Sequence, residues 1–265
     1  MDLKKTLFIL PNLLTAACLL CGMLAVIRCL SPSMTEEDIF KASLLLFYAF
    51  LFDLFDGRVA RMTRTQSRFG IEFDSLADLV SFGVAPAAIA YRFAFESAGV
   101  VGSIVCFVYV SGGAIRLARF NVISHAPRKD PSQPDKYMLG LPIPMAAAFV
   151  VALVVATRAM GGWPWLTEYG LTVRGIGYPM MTAVMPILAL LMVSSVRFRS
   201  FKDLRISPFT ISLLLAVIGV SGLLWLWFSP SYILISLLLM YVGLGFAETV
   251  ISWPGRRRER RSPRA

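Results

Sequence analysis

Four aspartates stand where acidic residues are costly. The stretch FDLFDGRVARMTRTQSRFGIEFDSLADLVSFG, residues 52–83, sets Asp53, Asp56, Asp74 and Asp78 among apolar neighbours. A charged side chain in the middle of a membrane costs about 2.5–3.5 kcal/mol on insertion scales, and carboxylates brought together repel one another as well. Such a cluster needs a compensating partner. At about 100° per residue, with Asp53 at zero, Asp56 falls at about −60°, Gly57 at about +40°, Ala60 at about −20° and Arg61 at about +80°. These five share one helical face. On the following helix Gly70, Asp74 and Asp78 advance by only about 40° per step, again one face. The short link between the two helices predicts antiparallel neighbours, so the acidic faces meet.

Paired aspartates with no His or Cys cluster nearby suit a hard divalent cation, Mg²⁺ or Mn²⁺. Two such ions neutralise most of the charge and can polarise a pyrophosphate. Gly57 and Ala60 remove bulk from the same face, so a flat ligand can approach the backbone, and Arg61 can pair with a phosphate. One aspartate can be spared as a general base toward an attacking hydroxyl. A single intramembrane Asp reads equally well as the structural partner of an Arg; four on two coherent faces, with small residues between them, do not.

The elements that must carry these faces follow from composition. Of 265 residues, 57% are hydrophobic and only 16% charged, against about a quarter charged in soluble domains. Disorder is excluded by the apolar content, and a soluble enzyme by the amount of apolar surface to be hidden. The long continuous runs exclude a β-barrel, which would need alternation. What remains is an all-α integral membrane protein, a bundle of about eight transmembrane helices over residues 7–30, 39–61, 71–95, 99–121, 139–160, 178–196, 209–228 and 231–252. The first segment reads as a retained span rather than a leader, because Pro11-Asn12 interrupts its start and no small-residue cleavage site is convincing. No repeat relates the two halves, which speaks against repeat-built transporters.

Eight spans place both termini on one side. That side collects 21 of the 26 Lys and Arg residues, and is therefore expected to be cytoplasmic. The net charge of +10 reflects topology, and no nucleic acid partner is expected. Cys18, Cys21, Cys29 and Cys106 lie in apolar runs and read as small packing residues. His125 reads as an ordinary loop residue. The tail, RRRERRSPR, is expected to bind anionic lipid, each basic residue adding about 1 kcal/mol near such a surface.

At the aspartates the sequence resembles the CDP-alcohol phosphotransferase family, with the pattern D-x2-D-G-x2-A-R-x8-G-x3-D-x3-D. Asp53, Asp56, Gly57, Ala60, Arg61, Gly70, Asp74 and Asp78 match every position and spacing. The resemblance implies that Asp53, Asp56 and Asp74 bind two metal ions, Mg²⁺ or Mn²⁺. It implies that Asp78 is the catalytic base or a shared ligand, and that Gly57, Arg61 and Ser67 contact the CDP-linked donor. Ala60 and Gly70 join that donor surface. Asn12 and Thr15, in the first span, could meet the cytidine or bond to neighbouring helices.

Further segments resemble the serine-accepting branch of the family: LPNLLTAACLLCGMLAV, FDSLADLVSFGVAPA, GGAIRLARFNV, YMLGLPIPMAAA and SSVRFRSFK. They imply transfer of the phosphatidyl group from CDP-diacylglycerol to the hydroxyl of L-serine, with release of CMP. Arg116 and Arg119, three apart and so on one side of a helix, would then form with Asn121 a pocket for the serine carboxylate or a lipid phosphate. The bland reading of the two arginines is positive-inside topology. The implied organisation is a catalytic core at 1–205 with six spans, two further spans at 206–252 and a basic cytoplasmic tail at 253–265. A homodimer in the cytoplasmic (inner) membrane, its active site facing the cytoplasm, is expected. The alternatives are the same chemistry on glycerol 3-phosphate or inositol phosphate, or a divalent-cation transporter.

Overall fold

The computed structural model describes residues 3–33, 35–63, 65, 67–125, 137–160 and 173–199. The expected spans at 209–228 and 231–252, the basic tail, and Arg128, Lys129 and Lys136 lie outside the described residues.

The chain divides into two units. The described residues of the first, which covers 1–126 and 142–193, are mainly helical. Helix α1 spans Leu3–Cys29 and α2 spans Glu36–Met62. Thr35 caps α2 through a reciprocal pair: Asp38 N donates to Thr35 Oγ1, and Thr35 N donates to Asp38 Oδ2 at 2.9 Å. This satisfies two backbone donors that a helix start leaves open, and the Thr35 hydrogen bonds hold the Asp38 carboxyl below its ordinary range. After a short turn Ser67 caps α3, Arg68–Asp78, by accepting from Gly70 N at 3.0 Å. The same rod then continues through a π-helical segment Leu79–Val84, α4 at Ala85–Ala90, and a second π-helical segment Tyr91–Phe95. Helices α5, Val100–His125, α6, Ile143–Met160, and α7, Val173–Val193, complete the unit.

Four of these stretches are long and apolar enough to cross a membrane: Ile9–Cys29, Arg68–Phe95, Val100–Ile123 and Ile176–Val193, with Ile143–Arg158 a shorter apolar helix. Leu13, Phe107 and Leu190 are among many large apolar side chains left exposed, the surface that lipid rather than water would cover. The protein is a membrane protein on these grounds. Helix α6 starts at Ile143 rather than near 139, because Gly140 adopts a positive φ of 79° and Pro142 follows it.

Two contacts show what sets the packing. A Cβ on Gly112 would stand 2.9 Å from the Ala189 Cα, so only glycine lets α5 and α7 approach this closely. A Cβ on Gly22 would stand 2.6 Å from the Ser81 Cα, which locks α1 against the first π-helical segment. Small residues at helix crossings are the usual device where lipid supplies no hydrophobic drive. Contrary to the expectation of packed neighbours, α2 and α3 do not pack closely along their length; both lean on α1.

The second unit, residues 127–141 and 194–265, contributes one departure from the all-α expectation. Strand β1, Tyr137–Leu139, pairs antiparallel with β2, Arg197–Arg199, in the register Tyr137–Arg199, Met138–Phe198 and Leu139–Arg197. Gly140 N extends the ladder by donating to the Val196 carbonyl at 2.8 Å. A three-residue ribbon between helices carries no periodicity that could have announced it.

Candidate active site

The spacing of the aspartates puts Asp53 and Asp56 on α2 and Asp74 and Asp78 on the rod that begins with α3. Carboxylate oxygens of Asp53, Asp56 and Asp74 lie within 4.8 Å of one another. Two ligands of one Mg²⁺ stand at most about 4.2 Å apart, twice the usual ligand distance. The three therefore need only small side-chain adjustments to close on one ion. All donors are hard oxygens, and among the described residues no His or Cys shares the cluster, so the residues fit a divalent cation of the Mg²⁺ kind. Asp78 adds the second observation. Its Oδ1 is buried and has no hydrogen-bond partner, a state that a carboxylate does not hold cheaply. The nearby charges are those of Asp53, Asp74 and Asp56, with Arg116 opposing them.

Asp56 is itself only 5% exposed. Thr15, buried on α1, places Oγ1 2.7 Å from Asp56 Oδ2 and 3.1 Å from the Pro11 carbonyl. With one proton to give, the shorter contact to an acidic acceptor is the stronger. Thr15 thus bonds to a neighbouring helix, one of the two roles open to it, and the bond is to one of the four aspartates. Asn12 stands close by: a Cβ on Gly70 would meet its Oδ1 at 3.4 Å and Ser67 Oγ at 3.1 Å. Asn12, Ser67 and Gly70 therefore lie together at the start of α3. Among the described residues a Cβ on Gly57 would meet only Arg61 Nη1, at 3.9 Å, beside the guanidinium.

The residues expected to bind serine or phosphate separate. Arg116 is buried, within electrostatic reach of Asp78. Arg119 donates through Nη1 to the Val193 carbonyl at 2.7 Å and through Nη2 to the Met192 carbonyl at 3.5 Å. It neutralises the C-terminal end of α7, where a cation is favoured by the helix dipole. Asn121 donates through Nδ2 to Glu72 Oε2 at 2.9 Å, and Ser75 Oγ lies 3.2 Å from its Oδ1. It ties α5 to α3.

Sequence reasoning did not single out Glu72, Ser75, Ser81 and Tyr109. Ser81 Oγ donates to the Cys18 carbonyl at 3.0 Å, and the buried Tyr109 hydroxyl donates to the Phe82 carbonyl at 3.1 Å. Their only signal was a polar group in an apolar run, since their partners lie 27 to 63 residues away. The cysteines are free, and Cys18 and Cys29 are buried.

A rod of membrane helices carrying an acidic cluster between D-x2-D-G-x2-A-R and G-x3-D-x3-D defines a class, and the chain belongs to the CDP-alcohol phosphatidyltransferase family, whose pattern matches residues 8–194. Among its relatives, the CDP-diacylglycerol–serine O-phosphatidyltransferase of Helicobacter pylori is 36% identical over 199 residues, covering 75% of each chain. The protein of that name from Bacillus subtilis is 32% identical over 193 residues, 73% of this chain and 91% of its own. That from Saccharomyces cerevisiae is 39% identical over 140 residues, 52% of this chain and 50% of its own.

Proposed function

We propose that this chain transfers the phosphatidyl group from CDP-diacylglycerol to the hydroxyl of L-serine and releases CMP. The observation that carries the reading is the Asp53, Asp56 and Asp74 cluster with the unpartnered Asp78 oxygen beside it. The relatives named above support serine as the acceptor.

In this reading Asp53, Asp56 and Asp74 hold two divalent cations, Mg²⁺ or Mn²⁺, with Asp78 free to share one. When bound, the ions polarise the donor pyrophosphate and offset the charge that builds on departing CMP. The chain's own residues do the rest. Gly57 and Ala60 leave the α2 face open to the nucleotide, Arg61 pairs with a phosphate, and Asn12, Ser67 and Gly70 line the cytidine end. Asp78 accepts the serine hydroxyl proton as that oxygen attacks the phosphorus bearing diacylglycerol, and the bond to CMP breaks. Arg116 offers the serine carboxylate a buried cation. Catalysis on this plan is mostly positional and electrostatic.

The larger frame belongs to the same proposal. The chain has about eight spans with both termini cytoplasmic, a catalytic core at 1–205, two further spans at 206–252 and a lipid-binding tail at 253–265. It works as a homodimer in the cytoplasmic membrane, with serine entering from the cytosol and the lipid donor from the side.

The test offers the purified protein CDP-diacylglycerol with serine, glycerol 3-phosphate, inositol phosphate or inositol, and follows CMP. Release with serine alone, abolished by EDTA and restored by Mg²⁺ or Mn²⁺, is the expected result. Release with glycerol 3-phosphate in place of serine would overturn the acceptor, and full turnover in metal-free buffer would overturn the role of the aspartates.

A further inference from the structure

Asp78 opens the π-helical segment Leu79–Val84. Two other helices grip that segment within four residues of the carboxylate. From α1, the Cys18 carbonyl accepts the Ser81 hydroxyl at 3.0 Å, and Gly22, one turn further along α1, admits Ser81 into contact with its backbone. From α5, Tyr109 donates its hydroxyl to the Phe82 carbonyl at 3.1 Å. Ser81 and Tyr109 are both fully buried.

The Phe82 carbonyl cannot be bonded in the α-helical way. In an α-helix it would accept from the backbone N–H four residues on, but that residue is Pro86, which has none. Tyr109 adds a donor from α5 to that same carbonyl. The π-helical bonding has a second consequence. Bonds from i to i+5 turn the chain more slowly than α-helical bonds. The rod beyond Asp78 is therefore re-phased, and Ile89 and Phe93 are buried without turning Asp74 and Asp78 away from α2. Asp78 sits at the junction. If the segment relaxed toward α-helical bonding, the carboxylate would rotate about the rod axis.

We propose that Tyr109 and Ser81 are positioning residues for Asp78: their two hydrogen bonds hold the π-helical segment that sets the direction of its carboxylate. The inference rests on the reading of Asp78 as the base. It concerns rate rather than affinity, because neither hydroxyl is bonded to the acidic cluster or to the donor-binding face.

The experiment measures CMP release from CDP-diacylglycerol and serine by Tyr109→Phe, Ser81→Ala, Asp78→Asn and the double variant Tyr109→Phe/Asp78→Asn, each shown to be folded by its thermal melt. A displacement of about 1 Å in a reacting group can cost about a hundredfold in rate. Tyr109→Phe and Ser81→Ala should each lower kcat at least tenfold, on the order of that effect, with the KM for serine and the Mg²⁺ dependence unchanged. Tyr109→Phe should cost nothing more once Asp78 is Asn, since residues that act through one group are not additive. Cys106→Ala is the control: its Sγ lies 3.4 Å from the Ala87 carbonyl, linking α5 to α4 beyond the segment, and it should turn over as the wild type does. If Tyr109→Phe does not fold, Ser81→Ala carries the same test from the other helix. Wild-type kcat in a folded Tyr109→Phe or Ser81→Ala beside a crippled Asp78→Asn overturns the clamp. An equal loss on the Asp78→Asn background also overturns it. Wild-type turnover by Asp78→Asn removes the base assignment instead.

Discussion

Thr15→Val tests whether the first helix takes part in metal binding. Valine keeps the shape of threonine and removes the hydroxyl that lies 2.7 Å from Asp56 Oδ2. Both residues are buried, at 4% and 5% exposure, so water does not replace the lost donor. A hydrogen bond to a charged group is worth about 1.5–3 kcal/mol, which at about 1.4 kcal/mol per decade is about 10- to 150-fold. The Pro11 carbonyl, the other acceptor within reach, stands at 3.1 Å within the same helix and loses little when the hydroxyl goes. The expectation is a 10- to 150-fold rise in the Mg²⁺ concentration for half-maximal CMP release, on the same estimate. The assay titrates Mg²⁺ against turnover at saturating donor and serine. Thr157→Val is the matched control. Its hydroxyl is buried and bonds the Leu153 carbonyl at 2.7 Å, with no carboxylate involved, so its Mg²⁺ curve should overlie the wild type. If Thr15→Val gives that same curve, Thr15 does not orient Asp56 and the reasoning fails.

Three other outcomes are expected. Asp78→Asn should cut turnover by about 10²–10⁴-fold, the usual worth of a general base, while CDP-diacylglycerol still binds; Asp53→Asn should lose donor affinity too, and equal donor binding in both would contradict the division of roles. Gly112→Val should destabilise the folded protein by about 1–3 kcal/mol, the usual cost of overpacking, because its side chain meets the Ala189 backbone; a thermal melt unchanged from wild type would show that α5 and α7 can part freely. In a cysteine-free background, Met62→Cys should react with an impermeant thiol reagent only after the cytoplasmic face is opened, and Ser97→Cys from outside; the opposite pattern would invert the proposed topology and the serine route with it.

The amino-acid order alone was enough for the class of molecule and for the acidic cluster. Long apolar runs leave few folds open, and their helical limits were legible to within a few residues for α2 and α5. The faces of Asp53, Asp56, Asp74 and Asp78 follow from the helical repeat, which is a local property of spacing. Partners are not local. Thr15 and Asp56 lie 41 residues apart, Ser75 and Asn121 46 apart, and Arg119 and Val193 74 apart. Periodicity says which way a side chain leaves its helix, but not which helix stands opposite. That depended on close approaches such as Gly22 at Ser81 and Gly112 at Ala189. It also depended on α1, which packs against both α2 and α3. The π-helical segment after Asp78 was hidden for the same reason. Pro86 announces a missing N–H, but only the packing of α5 brings the Tyr109 hydroxyl to the Phe82 carbonyl.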